Sequence, residues 1–190
     1  DVSGSMTSPV GSGITAMDVA VSLGLYLSDK NKGKFKDTFL TFSDRPQLLN
    51  LQGNVLDKVK QMMKSDWGMS TNLHAAFEKI LDVAVKGGVS QEEMPAMLLI
   101  LSDMQFNACI RYDDSAIQMI RRKYEAAGYQ VPAVVFWNLN SAGNAPCSFN
   151  EKGVALVSGF SPGIMKAVLA ADLDTLTPEA LMRKAVMVPR

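Results

Sequence analysis

The sequence predicts an α/β fold: a doubly wound, mostly parallel β-sheet with helices on both faces. Two observations lead to this prediction. Apolar stretches of strand length alternate with stretches of helix length along the 190 residues, which is typical of sheets built from strand–helix–strand units. In addition, residues 97–101 and 131–137 are almost continuously apolar, as expected for strands that are covered on both faces.

The predicted elements follow one another in a regular order. Helices are indicated by apolar residues at helical spacing and by capping signals, and strands by short apolar runs between turn residues. The predicted helices comprise residues 17–27, 55–64, 72–86, 115–127, 161–171 and 178–186, and the predicted strands comprise residues 38–43, 47–51, 97–101, 131–137 and 154–157. We expect the first helix to be largely buried. Ser70 or Thr71 is the expected N-cap of the third.

Composition excludes several classes of partner. Lys and Arg total 19, as do Asp and Glu, so no net field recruits nucleic acid or an anionic membrane. No apolar run reaches the length of a membrane span. Cys109 and Cys147 are far apart and no Asn-x-Ser/Thr acceptor occurs. These features predict a cytoplasmic protein with two reduced thiols and no membrane association.

The first five residues, Asp1-Val2-Ser3-Gly4-Ser5, carry the clearest chemical signal. They set one carboxylate and two hydroxyls at alternate positions, and Gly4 allows a tight turn between them. Oxygen ligands from one loop suit Mg²⁺, which favours octahedral oxygen coordination and keeps some of its waters. The alternative is a serine-rich turn that caps the next helix.

Polar side chains are expected along one side of the sheet, which we call the carboxyl edge because the parallel strands end there. Residues 43–44, residues 102–103, Asn138 with Asn140, and Ser158 each follow or end a predicted strand. Ligands of open α/β sheets bind beyond the carboxyl ends of the strands. The first five residues are therefore expected at this edge too.

Three segments together resemble a known family. Residues 1–5, the polar turn 67–72 and the apolar run 97–103 occur in the order of the metal-ion-dependent adhesion site of von Willebrand factor type A (vWA) domains. The resemblance implies a Rossmann-like vWA fold and five site residues, namely Asp1, Ser3, Ser5, Thr71 and Asp103. It implies that Ser3 and Ser5 bind Mg²⁺ directly, that Thr71 binds in the ligand-competent state, and that the aspartates act largely through water. Mn²⁺ and Ca²⁺ are alternatives. A Glu or Asp of a protein partner would complete the coordination.

The chain also resembles a narrower, uncharacterised family of plant, slime-mould and giant-virus proteins. Residues 67–72, 102–106, 135–138 and 150–160 carry this resemblance. It implies that residues 1–190 form one vWA-like domain, the C-terminal part of a larger protein. In that family a helical region similar to the TROVE module of the Ro RNA-binding autoantigen comes first, so any RNA role would belong to that region.

Asp1 further predicts a strand upstream of it. An aspartate at the carboxyl end of a strand requires that strand to precede it. A free α-ammonium on Asp1 would also repel a bound cation. We therefore expect the first strand of the sheet before residue 1.

Competing interpretations of single motifs are weaker. Residues 11–16 match the dinucleotide fingerprint Gly-x-Gly-x-x-Gly/Ala, but a polar turn stands where a strand is required. The basic loop 30–36 contains one aromatic residue and could contact phosphate, although a solvated connection is the simpler interpretation. His74, the only histidine, has no second His or Cys at ligand spacing, so no zinc site is expected.

Catalysis is not expected. Aspartyl phosphatases carry Asp-x-Asp, and here Ser3 stands at the second aspartate's position. Nucleophilic attack by a serine would need a base and an orienting group, and none is evident near residues 1–5. A structural scaffold with a vestigial metal site and a metal-dependent phosphohydrolase are the two alternatives to a binding module.

Overall fold

The structure, a computed structural model, describes residues 4–11, 13–31, 33–41, 45–65, 72–103, 114–140 and 153–158. The helices in this part of the chain are α1 (Ala16–Lys30), α2 (Val55–Lys64), α3 (Leu73–Gly87) and α4 (Asp114–Ala126). The strands are β1 (Pro9–Gly11), β2 (Ile14–Thr15), β3 (Thr38–Leu40), β4 (Leu48–Asn50), β5 (Met97–Ser102), β6 (Ala133–Asn138) and β7 (Val154–Ser158). The predicted helices 161–171 and 178–186 lie outside the described residues.

A parallel sheet of β5, β6 and β7, in that order, forms the centre of the described structure. Met97 pairs with Ala133 and Ser102 with Asn138, so β5 and β6 are in register along their whole length. The connection from β5 to β6 contains α4, and parallel strands need a long crossover connection of this kind. The predicted α/β class with a parallel sheet is confirmed.

Helices cover both faces of this sheet. On one face, Ile100 and Phe136 pack in a buried cluster with residues of α3 and α4. On the other face, Val135 and Trp137 pack in a second cluster with α1 and with Met6. Because side chains alternate along a strand, two helical layers bury both sets of residues.

The contact between α3 and α4 includes a buried tyrosine. The Tyr124 hydroxyl donates a hydrogen bond of 2.9 Å to the Phe77 carbonyl. The two rings meet edge to face, with centroids 6.1 Å apart. Burial raises the pKa of the Tyr124 hydroxyl, so the group stays a neutral donor at physiological pH.

Three helices begin with side-chain caps. Thr15 and Asp18 form a capping box at the start of α1, and Asn54 and Asp57 form another at the start of α2. For α3 the expectation of Ser70 or Thr71 was wrong: the N-cap is Asn72. Its Oδ1 accepts a 3.0 Å hydrogen bond from the backbone N–H of Ala75, and the short amide side chain suits this role.

β3 and β4 form a separate antiparallel hairpin. Both are shorter than the predicted strands 38–43 and 47–51: β3 ends at Leu40, and residues 42–44 lie outside the described residues. A short ladder that the sequence did not predict precedes α1, in which β1 and β2 pair antiparallel. This ladder is not the strand–turn–helix unit that a dinucleotide site needs.

One prediction of burial needs correction. α1 is only partly buried, with Ala16, Ala20 and Ser28 as its buried residues. Several of its residues line a cavity of about 390 Å³ that β3 and β5 also line. In α2, Met62 is buried but Met63 is 58% exposed. No helix among the described residues is long and apolar enough to cross a membrane.

Candidate metal centre

Asp103 directly follows β5 and is completely buried, as is Ser102 before it. An ionised carboxylate in the interior is costly unless hydrogen bonds or a cation compensate its charge. Asp103 does take part in a polar interaction. Asp103 thus stands at the carboxyl end of a parallel strand, which is where ligands bind in open α/β sheets.

The carboxyl edge carries a row of polar residues, as the sequence predicts. Ser102 pairs with Asn138, and Asn138 pairs with Ser158 on the next strand. The Ser102 carbonyl accepts a 2.8 Å hydrogen bond from the Leu139 N–H. The Asn138 Oδ1 accepts one of 2.9 Å from the Asn140 N–H. The first bond continues the ladder between β5 and β6, and the second holds a turn where the chain leaves β6.

Ser5 lies in a short 3₁₀ turn, Gly4–Thr7. Its carbonyl accepts a hydrogen bond of 3.0 Å from the Ser8 N–H, and its side chain is partly buried. Met6, next to it, is fully buried in the same cluster as Trp137 and Leu139. Since these two residues stand at the end of β6, the turn that carries Ser5 lies at the carboxyl edge.

The structure therefore brings two of the five predicted site residues, Ser5 and Asp103, to one edge of the sheet. Asp1, Ser3 and Thr71 lie outside the described residues. Asn72, which follows Thr71, is the N-cap of α3.

The donor set suits a hard cation rather than zinc. Hydroxyl and carboxylate oxygens are the ligands that Mg²⁺ and Mn²⁺ accept. Within the described ranges, no three residues among His, Cys, Asp and Glu are grouped to hold a metal. The His74 Nδ1 lies 3.5 Å from the Glu78 Oε2, in an ion-pair geometry within α3.

Sequence reasoning placed Ser102 at the carboxyl edge. It did not predict that this residue is fully buried or that it stands beside Asn138. The sequence did contain a signal for this neighbourhood, namely two apolar runs that each end in a polar residue. Only the register decides which of those residues become neighbours.

The fold and the carboxyl edge together define an α/β protein in which polar residues gather at the carboxyl ends of parallel strands. The chain belongs to the family described as a domain of unknown function (DUF7788), whose model matches residues 1–186.

A curated relative is the uncharacterized protein L728 of Acanthamoeba polyphaga mimivirus, which is 35% identical over 176 residues. That match covers 90% of this chain, whereas the chain spans about 30% of the relative's length. Among solved structures, the crystal structure of the manganese-loaded TRAP protein of Plasmodium vivax matches with a TM-score of 0.48 and 14% identity. The match covers 89% of this chain and 67% of the TRAP chain.

Proposed function

We propose that this chain is a metal-dependent protein-binding module of the vWA type. In this proposal Asp1, Ser3, Ser5, Thr71 and Asp103 hold a Mg²⁺-type cation at the carboxyl edge. A glutamate or aspartate of a protein partner completes the coordination. The observation that carries the proposal is the completely buried Asp103 at the end of β5, at the same edge as the turn that contains Ser5.

The chemistry of the residues supports binding rather than turnover. Serine and threonine hydroxyls are neutral ligands, so a cation held by them keeps much of its charge for an incoming carboxylate. The aspartates would orient metal-bound waters, and Asp103 is held in place by its position directly after β5.

The proposal extends to the wider setting. Residues 1–190 would act as one domain of a larger cytoplasmic protein, and RNA contact would belong to the region upstream. Two free thiols in the purified protein, counted with a thiol reagent after unfolding, are expected. RNA crosslinks that fall within residues 1–190 would contradict the assignment of RNA binding to the upstream region.

Metal binding is tested by thermal unfolding with EDTA, Mg²⁺ or Mn²⁺. The wild type should melt at a higher temperature with either metal, and Ser5→Ala should lose most of this response. Ser8→Ala is the matched control, since it removes the same hydroxyl three residues away and should respond like the wild type. Identical melting of the wild type with metal and with EDTA would favour a scaffold with a vestigial site.

Carboxylate recognition is tested separately by NMR titration. A short peptide with one glutamate should shift backbone signals near Ser5 and Asp103 in the presence of Mg²⁺. The same peptide with glutamine should not, because a neutral amide is a weaker ligand for a hard cation. Equal shifts with both peptides would contradict the proposal. Hydrolysis of p-nitrophenyl phosphate that disappears in Asp103→Ala would favour the phosphohydrolase instead.

A further inference from the structure

The outward side of α2 carries large apolar side chains that lie in solvent. Leu56 is 61% exposed and Met63 is 58% exposed. They stand seven positions apart, so they lie two turns apart along one side of the helix. Lys60 lies between them and Lys64 lies one turn further on, and both lysines are exposed. We call these four residues the outer face of α2. A row of exposed apolar side chains flanked by charge is typical of an interaction site, whereas a single one is not.

The opposite side of α2 is fixed to the rest of the protein. Met62 is buried and packs over Gly24 of α1, where its Cε lies 3.5 Å from the position that a Cβ would take. The Lys58 ammonium pairs with the Asp37 carboxylate at 2.5 Å, and both side chains are mostly shielded from solvent. Because these contacts hold α2 in place, its outer face is preorganised, and less conformational entropy is lost when a partner binds it.

The outer face is positively charged. α2 contains three lysines and one aspartate. Lys58 is already paired, and the Asp57 carboxylate accepts a 3.1 Å hydrogen bond from the Asn54 N–H at the start of the helix. The ion pairs among the described residues leave Lys60 and Lys64 without a carboxylate partner. A complementary partner therefore offers carboxylates beside apolar side chains.

Other occupants fit this surface less well. A second copy of the chain would bring the lysines of two outer faces together, which is repulsive. Phosphates of a nucleic acid would pair with the lysines, but they gain nothing from covering Leu56 and Met63, and α2 has no aromatic side chain on which a base could stack. A membrane would need a broad apolar face, and Met62 is turned inward against α1, so few apolar side chains remain to insert.

We propose that the outer face of α2 binds an acidic amphipathic helix of a protein partner. Apolar side chains of that helix pack against Leu56 and Met63, and its glutamates or aspartates pair with Lys60 and Lys64. A helix fits because it presents apolar groups every three or four residues with charged groups alongside, which is the spacing of the outer face. The contact uses no metal ligand and needs no cation, so it stands or falls separately from the proposed function.

An NMR titration of the labelled protein in EDTA tests this inference. The probe is a designed helical peptide with leucines along one side and glutamates beside them. It should shift the backbone signals of residues 56–64. The same peptide with lysines in place of the glutamates should bind about tenfold more weakly or worse, because like charges would then meet. EDTA removes any contact between a peptide carboxylate and a bound metal ion.

Two pairs of variants locate the contact on α2. Lys60→Glu should weaken binding of the glutamate peptide about tenfold and should strengthen binding of the lysine peptide, an exchange of preference that misfolding does not produce. Lys86→Glu is the matched control, since it makes the same charge change on the exposed side of α3. Leu56→Ala should weaken the glutamate peptide about tenfold. Val85→Ala, which truncates an apolar side chain of α3 that is 54% exposed, should bind like the wild type.

Four results would overturn the inference. The first is a glutamate peptide that leaves the signals of α2 unshifted, and the second is equal affinity for the two peptides. The third is a shift of these signals by phosphatidylserine vesicles or single-stranded RNA but not by the glutamate peptide, which would assign the outer face to a membrane or to RNA. The fourth is a shift that grows with protein concentration alone, which would assign it to a second copy of the chain.

Discussion

Replacing Asp103 by asparagine separates the cost of burying a charge from the gain of binding a cation. The side chain is completely buried, and asparagine has nearly the same shape without the charge. Without metal, the difference in melting temperature between the two proteins reports the cost of the buried charge together with the polar interaction that Asp103 makes. With metal, the wild type should gain much more stability than the variant.

The size of the metal-induced gain in each protein follows from linkage. A cation at 100 times its dissociation constant stabilises the folded wild type by about 2.7 kcal/mol. For a domain of this length, ~1 kcal/mol corresponds to roughly 2–4 °C, so the wild type should gain roughly 5–11 °C. Loss of a residue that orients metal-bound water typically weakens affinity 10–100-fold. With a 100-fold loss, the same metal concentration stabilises the variant by only about 0.4 kcal/mol, or roughly 1–2 °C.

Thermal unfolding of both proteins across a Mg²⁺ titration is the assay. Asp82→Asn is the matched control, since Asp82 is an exposed aspartate of α3 paired with Lys86 at 2.9 Å. It makes the same chemical change away from the site and should keep the full metal response. A metal-induced gain in Asp103→Asn equal to that of the wild type would refute a role for Asp103. A lower melting temperature of that variant in EDTA would show that its carboxylate is fully compensated without metal.

Three further predictions concern the scaffold. Tyr124→Phe should lower the free energy of unfolding, measured by chemical denaturation, by about 1 kcal/mol. The reason is that the 2.9 Å hydrogen bond to the Phe77 carbonyl is lost while the ring contact stays. A loss above about 3 kcal/mol would indicate that the core repacks instead. Asn72→Ala should lower the free energy of unfolding in urea by about 1 kcal/mol, and Asn72→Asp should lower it much less, since aspartate is also a good N-cap. Equal losses in the two variants would argue against a capping role for Asn72. Hydrogen bonds from the backbone and hydroxyl of Thr15 hold the pKa of Asp18 below its ordinary value of 3.8. This stabilisation is present above pH 3.8 and is lost as the pH falls through the lower pKa of folded Asp18. The difference in melting temperature between the wild type and Asp18→Asn should therefore shrink over that acidic range. A difference that stays constant with pH would contradict the prediction.

Long periodic or apolar segments were the most predictable part of the fold. α2 has the predicted bounds, and β5 and β7 each extend only one residue further than predicted. These segments are predictable because side-chain period and continuous apolarity are local properties. The β1–β2 ladder was not foreseen, because its few residues read as a polar, glycine-containing loop.

The candidate site was predictable in residue type and less so in arrangement. Serine, threonine and aspartate oxygens at the ends of predicted strands indicated a hard-cation site at one edge. The complete burial of Asp103 and Ser102 depends on layers that come from distant parts of the chain. Sequence spacing does not report which helix covers which residue.

The sequence by itself determined the α/β class, the parallel sheet and the kinds of oxygen ligand that its strand ends can offer, because these depend on local periodicity and on residue chemistry. Only the tertiary structure decided that Ser102, Asn138 and Ser158 stand side by side and that β3 and β5 face each other across a cavity. Register and layer packing are set by contacts between segments far apart in the chain, so they come from the folded arrangement rather than from any single stretch.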